Sequence, residues 1–462
     1  MNITKSSFGI TNDGEEAFLY RLENTSGAYV TITSFGCRVV NICVPDKTGT
    51  LRDVCLGYDT LAEYEKDQAS FGAVVGRHAN RIEKGTFTLN DKTYHLVINN
   101  GPNHLHGGTR GFHYYNWESA QVGNTVRFTR VSPDGEEGYP GTLTMSVTYA
   151  WSEDNELSIS YEASSDQDTV FNTTNHSYFN LNGEASGSVL EHILMINADQ
   201  YTETDENDLT TGVISDVAGT PFDFRTPKPI GQDIFADHPQ LKYSKTYDHN
   251  FVLNGSGLKE AATLYAEESG IRLTCFTDQP GVQLYVPAQS PAEHGKNGIC
   301  YPAYGSACLE TQHFPNATSH PNFPSVILKA GKTFKSKTLF HFDCFSCRIS
   351  GEYVYTSFIC FYGTNFVVVF FAFLSSFICI FYSRSFCNLS NLSISGTFLC
   401  RTINNISCCT IYFLPLQVYF TFKALAGCNL SLADRCVGNR CCCCCAASTC
   451  DYIIFIVIIF II

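Results

Sequence analysis

The sequence predicts an all-β protein, a large antiparallel β-sandwich, over residues 1–342. Three observations predict it. Runs of β-branched and aromatic residues alternate with small or polar ones, turn residues punctuate them at short spacing, and no long stretch carries helical periodicity. The elements follow in order. Residues 29–35 alternate as a half-buried strand does. Residues 61–68 are the one short segment expected to be helical. Residues 86–98 read as two strands joined across Asn90-Asp91, a hairpin signal. Residues 126–131, 142–151 and 156–163 repeat the pattern, with Asp154-Asn155 turning the last pair. Residues 262–277 form another hairpin, turning at Glu268-Ser269-Gly270. Residues 281–286 and 307–311 read as inner strands. Loops at 102–111 and 222–232 are rich in Gly, Pro and polar residues, and no internal repeat is present.

Composition divides the chain near residue 343. Through Asp343 there are 24 Lys and Arg against 41 Asp and Glu, a net charge of −17. The following 119 residues carry six basic and three acidic side chains and hold sixteen of the 22 cysteines. Residues 1–342 are long enough for one large core. Their acidity argues against nucleic acid and anionic membrane as partners, since both require basic patches. Residues 1–20 are polar and show no continuous apolar run of a targeting signal. A cytoplasmic, reducing compartment is expected, with Cys37, Cys43, Cys55, Cys275, Cys300 and Cys308 as free thiols. Their spacings match no zinc module.

Residues 343–462 are an apolar, Cys-rich tail unrelated to the sandwich. Residues 353–383 are uncharged and long enough to span a bilayer, whereas 404–422 are interrupted by Pro415 and Gln417. Five consecutive cysteines, Cys441 to Cys445, lack ligand spacing, and the Ile/Phe run at 452–462 is too short to span alone. A membrane anchor and a metal or redox tail are alternatives. The expectation is a disordered or non-native segment resembling translated non-coding sequence, with membrane tethering through 353–383 only if the tail is a genuine module.

Several runs in the first part can carry chemistry. Asn175-His176-Ser177-Tyr178-Phe179-Asn180-Leu181 sets one imidazole among hydroxyls and amides. On local sequence, His176 is equally a core histidine satisfied by Asn175 or Ser177 and a general acid with a reference pKa of about 6.5. Ser177 and Tyr178 can offer hydroxyls to a ligand. Cys308-Leu309-Glu310-Thr311-Gln312-His313 places a carboxylate in an otherwise uncharged strand. Glu310 is either half of a buried ion pair or a general base whose basicity rises on burial.

Gly76-Arg77-His78-Ala79-Asn80-Arg81-Ile82 supplies cations and an amide. Arg77 or Arg81 either pairs with a carboxylate or, with Asn80, forks hydrogen bonds onto adjacent hydroxyls. Asn103-His104-Leu105-His106-Gly107-Gly108 puts two histidines on one face if extended, without a third ligand for a metal. Its glycines permit a tight turn that a ligand can approach, and no P-loop Lys-Ser/Thr follows. Tyr247-Asp248-His249 sets a carboxylate beside a histidine able to orient it, and Gln283 lies in the strand Gly281-Val282-Gln283-Leu284-Tyr285. No nucleophile elbow supports a Ser-His-Asp hydrolase.

Taken in order, these motifs, with His320-Pro321-Asn322-Phe323-Pro324-Ser325, resemble the aldose 1-epimerase (galactose mutarotase) family from about Phe8 to Phe342. The resemblance implies the galactose mutarotase-like supersandwich with an open sugar cleft, and interconversion of the anomers of free aldohexoses such as galactose and glucose. It places the family's proton donor on His176 and its acceptor on Glu310. It places substrate contacts on Asn80, Arg81, His106, Ser177, Tyr178, Asp248 and Gln283, with no metal or cofactor. Asn316 stands where Asp is more usual, and His78 where Tyr or Val is common. Two readings compete with it: epimerisation of a hexose 6-phosphate, disfavoured by the acidic composition, and noncatalytic sugar binding, which needs no matched acid and base.

Overall fold

A computed structural model describes residues 1–344 throughout. From 345 onward it describes only the backbone of strands Ser357–Phe361, Phe366–Phe373, Ser376–Ser383, Phe398–Thr402, Asn405–Cys409, Lys423–Ala424 and Ile453–Ile459. Two compact units result, Met1–Arg348 and Ile349–Ile462. In the second, the described strands pair antiparallel, Phe366–Phe373 lying between Ser357–Phe361 and Ser376–Ser383. The run at 353–383, long enough to span a bilayer, lies partly, and the Cys441–Cys445 run wholly, outside the described residues. Among the described residues no helix is long and apolar enough to cross a membrane.

The first unit is an antiparallel sandwich, as expected. A five-stranded meander opens it, from Asn2–Ile10 to Leu51–Asp53. A nine-stranded sheet carries Thr125–Ser132, Leu143–Trp151 and Glu156–Ser165 beside Thr333–Cys344, Ile271–Thr277 and Lys259–Tyr265. Burial in Thr125–Ser132 and Glu156–Ser165 alternates residue by residue, the signature of a sheet with one wet face. The final strand runs two residues past the expected boundary at 342, and Asp343 there bonds Arg272.

A six-stranded sheet supplies the inner layer, in the order Tyr178–Phe179, Ala307–Gln312, Gly281–Tyr285, Asp248–Leu253, Ala198–Thr204 and Thr210–Asp216. All six residues of Ala307–Gln312 are buried, as expected of an inner strand. One face of this sheet, where Leu309 is joined by Val282 and Leu284 of the neighbouring strand, packs into one continuous core with Val147, Ile159, Leu273 and Phe340 of the nine-stranded sheet. Thr311 and Thr338 hydroxyls meet at 2.6 Å between the layers. Buried aromatics reach backbone acceptors: Trp151 Nε1 donates to Ala28 O and Tyr149 to Cys37 O. The six cysteines of the first part are free thiols.

Candidate active site

The opposite face of the six-stranded sheet is polar, and strand register explains why. Paired residues on antiparallel strands share a face, and every second residue returns to it. Glu310 pairs with Gln283, and Gln283 pairs with Asn250. One row along, Tyr178 pairs with Cys308, Cys308 with Tyr285, and Tyr285 with Asp248. These strands thereby place two carboxylates, two amides, a thiol and two tyrosines on a single surface. Gly281 is required there, because a Cβ would stand 2.3 Å from Asn250 Oδ1 and 3.1 Å from the Phe314 ring.

His176 arrives from a separate short strand, Thr174–His176, paired with Ala73–Val75. Its Nε2 lies 3.5 Å from Glu310 Oε1, and the side chains are 5% and 2% exposed. The ring stacks on Tyr178 with centroids 4.9 Å apart, and Tyr285 and His106 meet it edge-on. Cys308 Sγ is 3.7 Å from Nδ1. The imidazole is therefore boxed by rings, with Nε2 directed to the carboxylate.

Asn80, Arg81 and His106 come together through the two-stranded pairing of Arg81–Ile82 with His104–Leu105. Asn80 N donates to His106 Nδ1 at 3.1 Å, and Arg81 N donates to Asn80 Oδ1 at 2.7 Å. Asn316 fastens this corner: its N–H donates to Arg81 O, and its side-chain Nδ2 to Thr210 O. The Arg81 guanidinium gives Nε to Asn100 Oδ1 at 3.0 Å and lies 3.6 Å from Asp248 Oδ2. Gln283 Nε2 donates to Asp248 Oδ1 at 2.6 Å, leaving Gln283 Oε1 and Glu310 Oε2 buried without hydrogen-bond partners.

Burial dominates the electrostatics. It raises the Glu310 carboxyl well above the usual carboxylate range; nearby Asp248 adds to the rise and Arg81 opposes it. Burial lowers His176 to about 4 and His106 well below its ordinary value. Both members of the pair are thus driven toward their neutral forms, glutamic acid and neutral imidazole. Among the described residues, no group of three His, Cys, Asp or Glu could hold a metal ion.

Several expectations change on this geometry. His104 and His106 do not share a face: His106 takes a left-handed φ of 52°, while His104 is held between Val97 O and the Tyr139 hydroxyl. Gly107 serves the backbone rather than a ligand, since a Cβ there would lie 1.8 Å from Gly76 O. His249 does not orient the Asp248 carboxylate; its Nε2 meets Gln240 Oε1, and Gln283 takes the orienting role. Ser177 and Tyr178 have already committed their hydroxyl protons, to Asn175 Oδ1 and Ala69 O. Arg77 pairs with no carboxylate by hydrogen bond; it donates instead to the carbonyls of Ser132, Pro133, Pro140 and Gly141.

Four further side chains join the site. Asn250, Tyr285 and Cys308 follow from strand alternation once Gln283 and Glu310 are placed. Asp208 sits 3.7 Å from Arg81 across 127 residues, and only its turn-forming context marks it in the sequence.

Comparison with known proteins agrees with this architecture. The aldose 1-epimerase family model matches residues 19–341. Galactose mutarotase of Sus scrofa is 43% identical over 345 residues, covering 74% of this chain and 99% of that protein. Aldose 1-epimerase of Escherichia coli K12 is 35% identical, covering 71% and 96%. Among solved structures, a GalM/aldose epimerase homologue from C. elegans superposes with a TM-score of 0.65 at 32% identity, covering 70% of this chain and 98% of that one. Galactose 1-epimerase from Lactobacillus acidophilus gives 0.65 at 29%, covering 74% and 99%.

Proposed function

The chain belongs to the aldose 1-epimerase family and interconverts the anomers of aldoses, and we propose that Glu310 and His176 perform its two proton transfers on free galactose or glucose. One observation carries the assignment: a buried carboxylate and a buried imidazole stand 3.5 Å apart. The two oxygens that exchange protons, O1 and the ring oxygen O5, share a single carbon. The base and the acid must therefore stand side by side, as these groups do.

Ring opening starts from ionised Glu310 and protonated His176. Glu310 takes the O1 proton, the C1–O5 bond breaks with its electron pair leaving on O5, and His176 Nε2 gives O5 a proton. The open-chain aldehyde then faces glutamic acid and neutral imidazole, the forms that burial favours. The dry site thus lowers the free energy of the opened state relative to the charged pair. Rotation about C1–C2 presents the other carbonyl face, and reclosure reverses both transfers.

Asn80, Arg81, His106, Asp248 and Gln283 are assigned to the sugar hydroxyls, which they hold while C1 turns. Tyr178 contributes its ring, stacked on His176, and Ser177 supports Asn175 from behind. We assign the enzyme to residues 1–344 and to the cytoplasm, with the remainder of the chain taking no part in catalysis. Polarimetry on freshly dissolved α-galactose tests the reading: the protein should speed the approach to anomeric equilibrium. Sugar binding without acceleration would instead identify a noncatalytic binding protein.

A further inference from the structure

Asp208 lies outside the motifs above, yet it faces Arg81. A tight turn delivers it: Asp205 Oδ1 accepts from Asn207 N and Leu209 N, and Asp208 N donates to Asp205 O. Asp208 itself adopts a left-handed φ of 55°, which Asp and Asn tolerate better than most residues. Its Oδ2 is 3.7 Å from one Arg81 Nη, while Asp248 Oδ2 is 3.6 Å from the other. Both separations exceed a hydrogen bond, so neither carboxylate saturates the guanidinium. Asp208 Oδ1 is buried and accepts no hydrogen bond, although the side chain as a whole is 28% exposed at the rim. Glu310 Oε2 is likewise unpartnered, on a side chain only 2% exposed. Two carboxylates, Asp208 and Asp248, therefore face one guanidinium.

We propose that Asp208 is a specificity-determining residue that makes the site favour aldoses bearing a cationic substituent, the amino sugars, over anionic aldoses such as hexuronates and hexose phosphates. An ammonium group offers the donor that Asp208 Oδ1 lacks and offsets the excess negative charge. An anionic substituent meets Asp208 and Asp248 in a partly desolvated rim, where repulsion is strong. The inference rests on the reading that Arg81 and Asp248 line the sugar site.

The test uses the full chain, mutarotation kinetics at low ionic strength, and three probes: glucose, protonated glucosamine and glucuronate. The wild type should show a higher kcat/KM for glucosamine than for glucuronate. Asp208→Asn, which suits the same backbone, should lower that ratio by about fivefold or more. Asp208→Glu should restore it, and added salt should compress it. Asp208→Gly, also compatible with the positive φ, is the second neutral variant should the asparagine substitution disturb folding. An unchanged ratio in the neutral variants, with glucose mutarotation intact in the wild type, overturns the role of Asp208 alone. No acceleration with any sugar in the wild type overturns the underlying site reading.

Discussion

His176 Nε2 stands 3.5 Å from Glu310 Oε1, beyond a normal hydrogen bond yet within reach of one shared substrate atom pair. Burial raises the carboxyl and lowers the imidazole, so both groups are driven toward their neutral forms. A Glu310→Gln variant keeps the shape and removes the base. Its kcat should fall by about 10²- to 10⁴-fold with little change in KM, measured by polarimetry with galactose. Full activity in this variant would sink the base assignment.

Arg81 should act on binding rather than on the proton transfers. Its Nη groups lack close carboxylate bonds, whereas Nε is fixed to Asn100. Arg81→Lys cannot fork hydrogen bonds in the same plane. We expect KM for galactose to rise about tenfold or more, consistent with loss of a charge-assisted hydrogen bond, with a smaller change in kcat. A variant with lowered kcat and unchanged KM would contradict the binding role.

Gly281 gives a prediction on folding. An added Cβ would press on Asn250 Oδ1 at 2.3 Å inside the polar face. Gly281→Ala should destabilise by about 1–3 kcal/mol, the range for overpacking a buried site. Urea unfolding followed by tryptophan fluorescence, from Trp117 and Trp151, measures it. A midpoint equal to wild type would show that this row of the sheet yields more readily than its geometry indicates.

Acid should destabilise the fold through its buried histidines. His78 and His249 are lowered to about 3, and His104, His192 and His313 to about 4, in every case first by burial. In the unfolded chain each titrates near about 6.5. Between about pH 6.5 and 4 the unfolded state therefore binds more protons, so stability is full above that window and falls as pH drops through it. The carboxyls of Glu310, Asp208 and Glu184, raised rather than lowered, oppose this. A Tm that stays level or rises from about pH 7 to about pH 4.5 would contradict the buried-neutral assignment.

A chain ending after Cys344 should fold and keep wild-type kcat/KM for galactose. The last strand of the nine-stranded sheet ends there, and Asp343 bonds Arg272. Ending after Phe342 removes that contact and should lower Tm by a few degrees, consistent with the loss of a partly exposed ion pair. An insoluble or inactive 1–344 chain would show that the remaining residues belong to the enzyme.

Much of the sandwich was legible because its strands bury one face. Asn90 and Asp91 turn their hairpin with φ of 51° and 60°, as the dipeptide implies. The strand Asn2–Ile10 was not legible, because it is an exposed edge whose burial pattern carries no alternating apolar face. The helix expected over 61–68 stops at Tyr64, since Asp67 is drawn into a buried bond with Arg38 and caps the next turn through Ala69 N and Phe71 N. Within the site, Glu310 and Gln283 could be read from their strands. The separation of His104 from His106 could not, because it depends on a left-handed residue and on Tyr139, 35 positions away. Asp208 was illegible for the same reason: its partner Arg81, 127 residues away, is brought near only by the tertiary fold.

The central claim is that Glu310 and His176 act as one unit on one sugar. A double-mutant cycle read by polarimetry on α-galactose, comparing wild type, Glu310→Gln, His176→Asn and the double variant, tests it most directly. The account predicts strong acceleration by wild type and a double variant no slower than the more damaged single variant. Independent, multiplicative losses, or acceleration that survives both substitutions, would contradict it.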